Sequence, residues 1–444
     1  MRHFIFAFLL LSGLAAGYFT SSLEQKMVES YLIGFPQADP KLHCWRPFAM
    51  WGLCLVPALG ALCYNMMGIL DRFLFRQVLI TTSIATAFLV LVFVLFDLQE
   101  VLSEFTTTDS PLTFIPTYYA VLISQVLVLL LPFTTLFGFL AALGKLSADR
   151  EIIGLTQTGR GLMRVLGPAI TLGFLISLVS FFLNIHLAPW SEGYRKALLR
   201  SAESGVTAQA SNVMHHDAKS GRLWYIRNIP YDLRGKEPLT GISISLPDEK
   251  GDLMARLHSP KAVWDRETNY WHFHQPTLLA TQAQPTPRYL ENLKDPLVIT
   301  DWTETPPQLV QDGLDPRYLG IPSLLDWLRG GDKDLFDARI FSSQFHSRLA
   351  KPWLCLISAL LAAPLGITFS RRTRKGTFVL ALVLCLLMIF FDKVFLAFAE
   401  AGQLPAMLGA WSSNLIFLVL AFILIDRRLR GRPIFQSLCR LFPS

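Results

Sequence analysis

Runs of about 20 apolar residues recur along this chain, the length at which a helix crosses the roughly 30 Å hydrocarbon core of a bilayer. Eight are candidates: Phe4–Thr20, Pro47–Ile69, Val78–Phe96, Pro116–Leu143, Val165–Leu187, Trp353–Phe369, Phe378–Ala399 and Leu408–Ile425. In lipid every backbone N–H and C=O must be satisfied within the protein, so runs of this kind predict a bundle of spanning helices. The first run is short enough to be the apolar core of a signal peptide, yet it also serves as an uncleaved span. Both readings give the same topology for the rest. Composition agrees: 52% of the 444 residues are apolar and 16% are charged. Soluble domains carry about 25% charged residues, so an ordinary cytosolic enzyme is excluded.

The charges set the expected orientation. Segments 1–3, 70–77, 144–164, 370–377 and 426–444 hold 16 Lys or Arg and four acids, Asp71, Asp149, Glu151 and Asp426. The short loops 97–115 and 400–407 hold no Lys or Arg. Cytoplasmic loops are the positive ones, so both chain ends and Lys145–Arg160 are expected inside and Ala188–Lys351 outside. The net charge of +7 therefore belongs to loop positioning, and no nucleic-acid partner is inferred from it. Six cysteines (44, 54, 63, 355, 385, 439) include no C-x-x-C pair and predict neither a disulfide framework nor a zinc site.

The outer stretch differs in kind. It holds 20 of the 33 acids and no span-length apolar run. Alternating segments at Arg222–Ile226, Gly241–Leu246, Leu253–Leu257 and Trp271–His274, separated by Pro, Gly, Asn and Asp, predict an antiparallel sheet domain of sandwich or barrel type. Leu324–Arg339 reads as a helix leading into the next span.

Chemistry-bearing motifs are few. Gly138–Lys145 (GFLAALGK) is one residue too long for a phosphate-binding loop, and Leu146 stands where Ser or Thr should bind the metal. His272 and His274 on one strand face, and the adjacent His215–His216, lack a third ligand at a diagnostic spacing and read as solvent-facing positions. No catalytic constellation, metal site or cofactor is assigned. A multi-span enzyme would have to draw on Asp392, Glu400 or His346, which form no recognisable motif. Two readings stand at this point, such an enzyme acting on lipid-linked sugars and a non-transporting envelope scaffold.

Lys145–Arg160 (KLSADREIIGLTQTGR) is more specific. Ser147 is a cap, Asp149 and Glu151 suit a positive helix N-terminus, and Ile152, Leu155 and Thr156 share a face. With Gly159 as the stop, this is a short helix offering Asp149, Arg150 and Glu151 to a partner; a plain surface turn fits these residues equally well. At the outer boundary Arg348 and Lys351 lie three apart on one expected helical face, and Arg195, Lys196 and Arg200 follow the third core span. These five either meet lipid phosphates or anchor helices by snorkelling. Asp392 and Lys393 are intramembrane charges of the kind that face a cavity or a partner helix.

ILDRFLFRQVL (69–79), LPFTTLFGFLAALGKLSADREIIGLTQTGRG (131–161) and FHSRLAKPWLCLISALLAAPLG (345–366) resemble the lipopolysaccharide export permeases, LptF and LptG. Asn184 and Pro189 fit the same pattern, and LDRFLFR leans toward LptG. The resemblance runs over about residues 69–430. It implies a polytopic α-helical membrane protein of the bacterial inner membrane, with six core spans plus an N-terminal pair and an inserted all-β, jellyroll-like periplasmic domain. It also implies an ABC-transporter permease for lipopolysaccharide. The expected partners are a second LptF/LptG-type permease, an LptB-like ATPase that hydrolyses the ATP, and LptC- and LptA-like periplasmic proteins. Glu151 matches the family's coupling acid. The expected divisions are 1–68, an extension beyond the core family; 69–189, three spans and the coupling helix; 190–345, the β domain; 346–430, three spans; and 431–444, a cytoplasmic tail. One departure is that Leu91–Leu98 holds Asp97 but no basic residue, where some relatives carry a lysine.

Overall fold

The apolar runs do become helices, because a helix closes its own backbone hydrogen bonds whatever surrounds it. The computed structural model describes residues 2–34, 39–107, 111–157, 161–204, 208–216, 220–230, 238–247, 253–265, 268, 270–280, 289–300, 302, 304, 309, 315–329, 335–367 and 374–430. The first helices are α1 (Arg2–Gly34), α2 (Pro40–His43), α3 (Trp45–Met66), α4 (Ile69–Thr107), α5 (Pro111–Ala148), α6 (Glu151–Gln157), α7 (Leu162–Ile185) and α8 (Leu187–Ser204). After the sheet come α9 (Ile321–Arg329), α10 (Leu335–Ala350), α11 (Trp353–Gly366), α12 (Arg374–Glu400) and α13 (Ala406–Leu429).

Among the described residues seven helical segments are long and apolar enough to cross a bilayer. The sixth expected span departs from the reading of the sequence. Its helix α11 has only 14 residues and crosses only together with α10, from which it is bent by 44°. Pro352, which has no N–H to donate, sits at the break. Arg348 and Lys351 therefore do not share one continuous helix, as their spacing suggested. The Ala350 carbonyl, freed at the break, accepts from Asn414 of α13 at 2.8 Å, and the Pro352 carbonyl, already reached by the Cys355 N–H at 3.2 Å, takes a second bond from Ser177 of α7 at 2.8 Å. Both side-chain donors are buried. Leu324–Arg339 is likewise two helices, α9 and α10, not one.

One apolar cluster joins six of the core helices. Phe75 and Val78 of α4, Leu136 and Phe139 of α5, Leu172 of α7, Leu361 of α11, Met388 of α12 and Phe417 of α13 all lie in it. At Gly138 a Cβ would fall 2.6 Å from the Cα of Thr82, so α4 and α5 approach to a distance that only glycine permits. The GFLAALGK stretch is thus helix-packing surface.

The β region is an antiparallel sheet of β1 (Ala208–His216), β2 (Leu223–Pro230), β3 (Leu239–Pro247), β4 (Leu253–Asp265), β5 (Tyr270–His274), β6 (Thr277–Ala280), β7 (Tyr289–Asn292) and β8 (Leu297–Ile299). The order β1-β2-β3-β4-β5-β8 follows the chain. β5 and β6 act as one strand broken at Gln275, whose φ is +49°. Lys261↔His274 and His258↔Thr277 keep the same register against β4. Trp224, Ile226, Ile242, Trp271 and Phe273 build the apolar face. Tyr270, His272 and His274 alternate outward, as the strand period requires. The chain returning from the sheet is pinned across the apolar face by Glu304, a buried residue. Its carboxylate accepts two bonds from Arg222, at 2.8 and 3.1 Å, and its carbonyl accepts the Trp271 indole N–H at 2.8 Å.

Candidate functional site

Two places carry the residues singled out above, one at each end of the helical layer. At the end away from the sheet, α5 stops at Ala148 and the chain turns at Arg150, whose φ of +62° lies in the left-handed region. The helix expected from Ser147 begins at Glu151 instead. Ser147 is buried in the last turn of α5, so it does not cap α6. The end expected at Gly159 lies outside the described residues, as does the Thr156 side chain. Seven residues cannot hold a helix alone, so α6 depends on its docking. Ile152 is fully buried among Leu74, Leu143, Leu146, Val165, Leu166, Ala363 and Ile367, and Leu155 packs against the same cluster. That anchors α6 to α4, α5, α7 and α11 together. Asp149, Arg150 and Glu151 stand exposed on the free side. The structure brings these five residues together as one patch: two apolar feet and three charges.

At the sheet end the cations behave less uniformly than their sequence positions suggested. Arg195 of α8 turns inward. Its Nη1 donates to the Tyr118 oxygen at 2.9 Å and to the Asp97 Oδ1 at 3.4 Å, while the Tyr118 hydroxyl donates to the same Oδ1 at 3.2 Å. Burial opposes the charge on Arg195, but Tyr118 and Asp97 outweigh it and hold its pKa above the ordinary value. The acid on α4 that lacked a basic neighbour in sequence thus receives one from α8. Lys196 sits over the Tyr318 ring, 4.7 Å from its centroid, and donates to the Tyr318 hydroxyl. Arg348 is buried and donates to the carbonyl of Arg317. Arg317 in turn reaches Glu400 at 3.2 Å, and that carboxylate raises the Arg317 pKa. Glu400 also accepts from Gln344 at 2.5 Å. Glu400, one of the enzyme nominees, therefore has a structural setting.

Lys351 differs. It stands at the α10–α11 break, half-buried, and its side chain makes no hydrogen bond or ion pair with another described residue. Glu192, Arg348, Asp392 and Lys393 are its charged neighbours. Arg200 lies in α8, and its side chain is outside the described residues. Asp392 is half-buried and Lys393 exposed on α12. Sequence reasoning missed Ser177 and Asn414, whose partners sit 175 and 64 residues away. It also missed Tyr118, whose aromatic surroundings gave no sign of a buried hydroxyl.

Comparison with known proteins falls on the same part of the chain. The profile of the family described as Lipopolysaccharide export system permease LptF/LptG matches residues 72–427. The Lipopolysaccharide export system permease protein LptF of Escherichia coli (strain K12) is 22% identical over 365 residues, covering 80% of this chain and 94% of its own. The LptF protein of Shigella flexneri matches at the same identity and coverage. The profile spans both LptF and LptG, whereas these relatives are LptF proteins. The match begins at Arg72, so α1 to α3 lie outside it.

Proposed function

The chain belongs to the LptF/LptG family of lipopolysaccharide export permeases, and on that footing we propose that it is one permease subunit of an ABC transporter. In this reading it draws lipopolysaccharide, or a related glycolipid, out of the bacterial inner membrane and passes it to a periplasmic bridge toward the outer membrane. A second LptF/LptG-type permease completes the pair, a separate LptB-like ATPase supplies energy, and LptC- and LptA-like proteins receive the lipid. The β region, in the family's jellyroll role, faces the periplasm, and both chain ends face the cytoplasm.

The observation that carries the reading is the family match across the whole six-helix core and its inserted sheet. The local chemistry fits it. A permease needs a handle that transmits force, and α6 is docked on four core helices with its charges outward. Glu151 is the coupling acid in this reading, with Asp149 and Arg150 beside it and Ile152 and Leu155 as its footing. Head-group binding falls first to Lys351, a cation at the rim without a described protein partner. Arg348 is the cation beside it, Arg195 and Lys196 are held by protein partners, and Arg200 stays a head-group candidate by its sequence position. A phosphate meeting Lys351 would gain a charge-assisted contact in a partly desolvated place.

Affinity purification of the full chain in mild detergent tests the reading. A nucleotide-binding subunit and a second permease should follow in stoichiometric amounts. Recovery of this chain alone, from membranes in which it is abundant and folded, would overturn it.

A further inference from the structure

We propose that the N-terminal hairpin, α1 to α3, is a strut that holds segment 315–329 against the helical core, and so fixes where the β sheet sits relative to the membrane helices. This segment carries the chain from the sheet back to the spans. The inference does not depend on which lipid is moved, and the hairpin lies outside the family match, which begins at Arg72.

Three sets of contacts make the strut. At the end away from the sheet, α3 and α4 meet at a sharp turn. There Arg72 donates from Nε to the Met67 oxygen at 2.8 Å and from Nη2 to the Asn65 oxygen at 3.3 Å, closing the last turn of α3. Along its length α3 lies on α7. Val56 enters the core cluster, the Phe48 and Phe182 rings meet edge to face at 6.3 Å, and a Cβ at Gly52 would overlap Phe182. A helix packed this closely cannot slide freely.

At the sheet end the contacts are polar and directed. His43, fully buried, reaches Asp326 Oδ2 of α9 at 2.5 Å. The Asp39 backbone N–H donates to Asp326 Oδ1 at 3.2 Å, so both oxygens of one carboxylate are taken by the hairpin. Arg329, one turn on, donates to Asp39 Oδ2 at 3.1 Å. Behind them Arg46 of α3 grips Glu24 of α1 through Nε and Nη2 at 2.7 and 2.6 Å, and His186, where α7 ends, lies 3.6 Å from the same Glu24 oxygen. The His43–Asp326 and Arg46–Glu24 pairs are largely buried, the Arg329–Asp39 pair lies at the surface, and together they join three separate parts of the chain. That is costly to assemble and, once assembled, well defined in position. α9 is fixed in turn, since Leu324 and Trp327 are packed with Phe341 of α10.

A helix pair that merely sat in lipid would need none of this. An apolar tip would serve it better, because buried polar groups are retained only where they are paired. The Asp326 carboxylate is the point where the strut bears on the sheet's return path.

Distance measurement between spin labels tests the proposal on the full chain in membranes. One label replaces the exposed Met214 of β1 and the other the exposed Met407 at the start of α13, in a chain whose own cysteines are substituted. The unaltered strut should give one narrow distance population. Asp326→Ala should broaden it and add a population at a shifted distance, and so should removal of residues 1–68. Supplying residues 1–68 as a separate polypeptide should return the narrow population. An unchanged narrow population in Asp326→Ala overturns the strut. Should the shortened chain fail to reach the membrane, Asp326→Ala and His43→Phe decide alone, because every helix stays in place. Lipid transport is not read in this test, so failure of the strut and failure of the transport reading remain distinguishable.

Discussion

Arg195 shows how a single residue can change meaning between sequence and structure. In sequence it belongs to a cluster of cations leaving a span, which suits lipid phosphate. In the fold it serves Asp97 and Tyr118, from positions 98 and 77 residues away, and no periodicity records such a separation. Arg195→Ala leaves a buried carboxylate without its cation and should cost about 2 kcal/mol. Asp97→Asn in the same chain should recover part of that loss, since the two sites share one interaction. Thermal unfolding in detergent checks both. A transition unchanged in Arg195→Ala would return the residue to the lipid. The exposure of Glu151 was legible for the opposite reason: a charged residue opening a short loop helix is a short-range signal. Glu151→Ala should leave stability within about 0.5 kcal/mol. It should lower transport roughly tenfold to a hundredfold through loss of one charged contact. Transport assayed at normal membrane abundance decides, and a wild-type rate would remove Glu151 from coupling.

At the scale of elements, the spanning helices were readable because an apolar run of bilayer length is a one-dimensional signal. The places where that signal weakened have physical causes. The fourth core span is broken at Pro352, and no count of apolar residues reveals that Asn414 satisfies the freed Ala350 carbonyl. Asn414→Leu should therefore cost about 1–3 kcal/mol by orphaning the Ala350 carbonyl, even though it makes α13 more apolar. Lowered yield and unfolding temperature of that variant are the measurement. The start of α6 was misplaced by three residues because the left-handed turn at Arg150 carries no glycine or asparagine to announce it. Its buried feet were legible from spacing. Ile152→Ala should remove about 2–4 kcal/mol of docking energy. The rest of the core should stay folded while protease access to 149–157 rises, a pattern that limited proteolysis detects. The strands were legible by alternation, but the closure of the sheet by Glu304 was not, since it pairs residues about 80 apart.

For the whole molecule, orientation is the quantity that sequence states most directly. The Lys and Arg bias predicts that a Cys placed at Gln157 stays out of reach of a membrane-impermeant reagent in intact spheroplasts and reacts once the membrane is opened. Labelling of the intact cells would invert the topology. The contact between Asp39 and Asp326 has a consequence in time. The two residues are 287 apart in the chain. Ribosomes add about 5–20 residues per second, so the hairpin waits roughly 15 seconds to a minute before its partner helix exists. During that interval Asp39 and His43 lack their partners on α9. In the proposed topology the grip closes only after the sheet has been translocated and the chain has turned back. Its formation therefore marks the moment at which the outer part of the protein has been delivered, and a nascent chain arrested before residue 326 should leave the hairpin open to quality-control proteases.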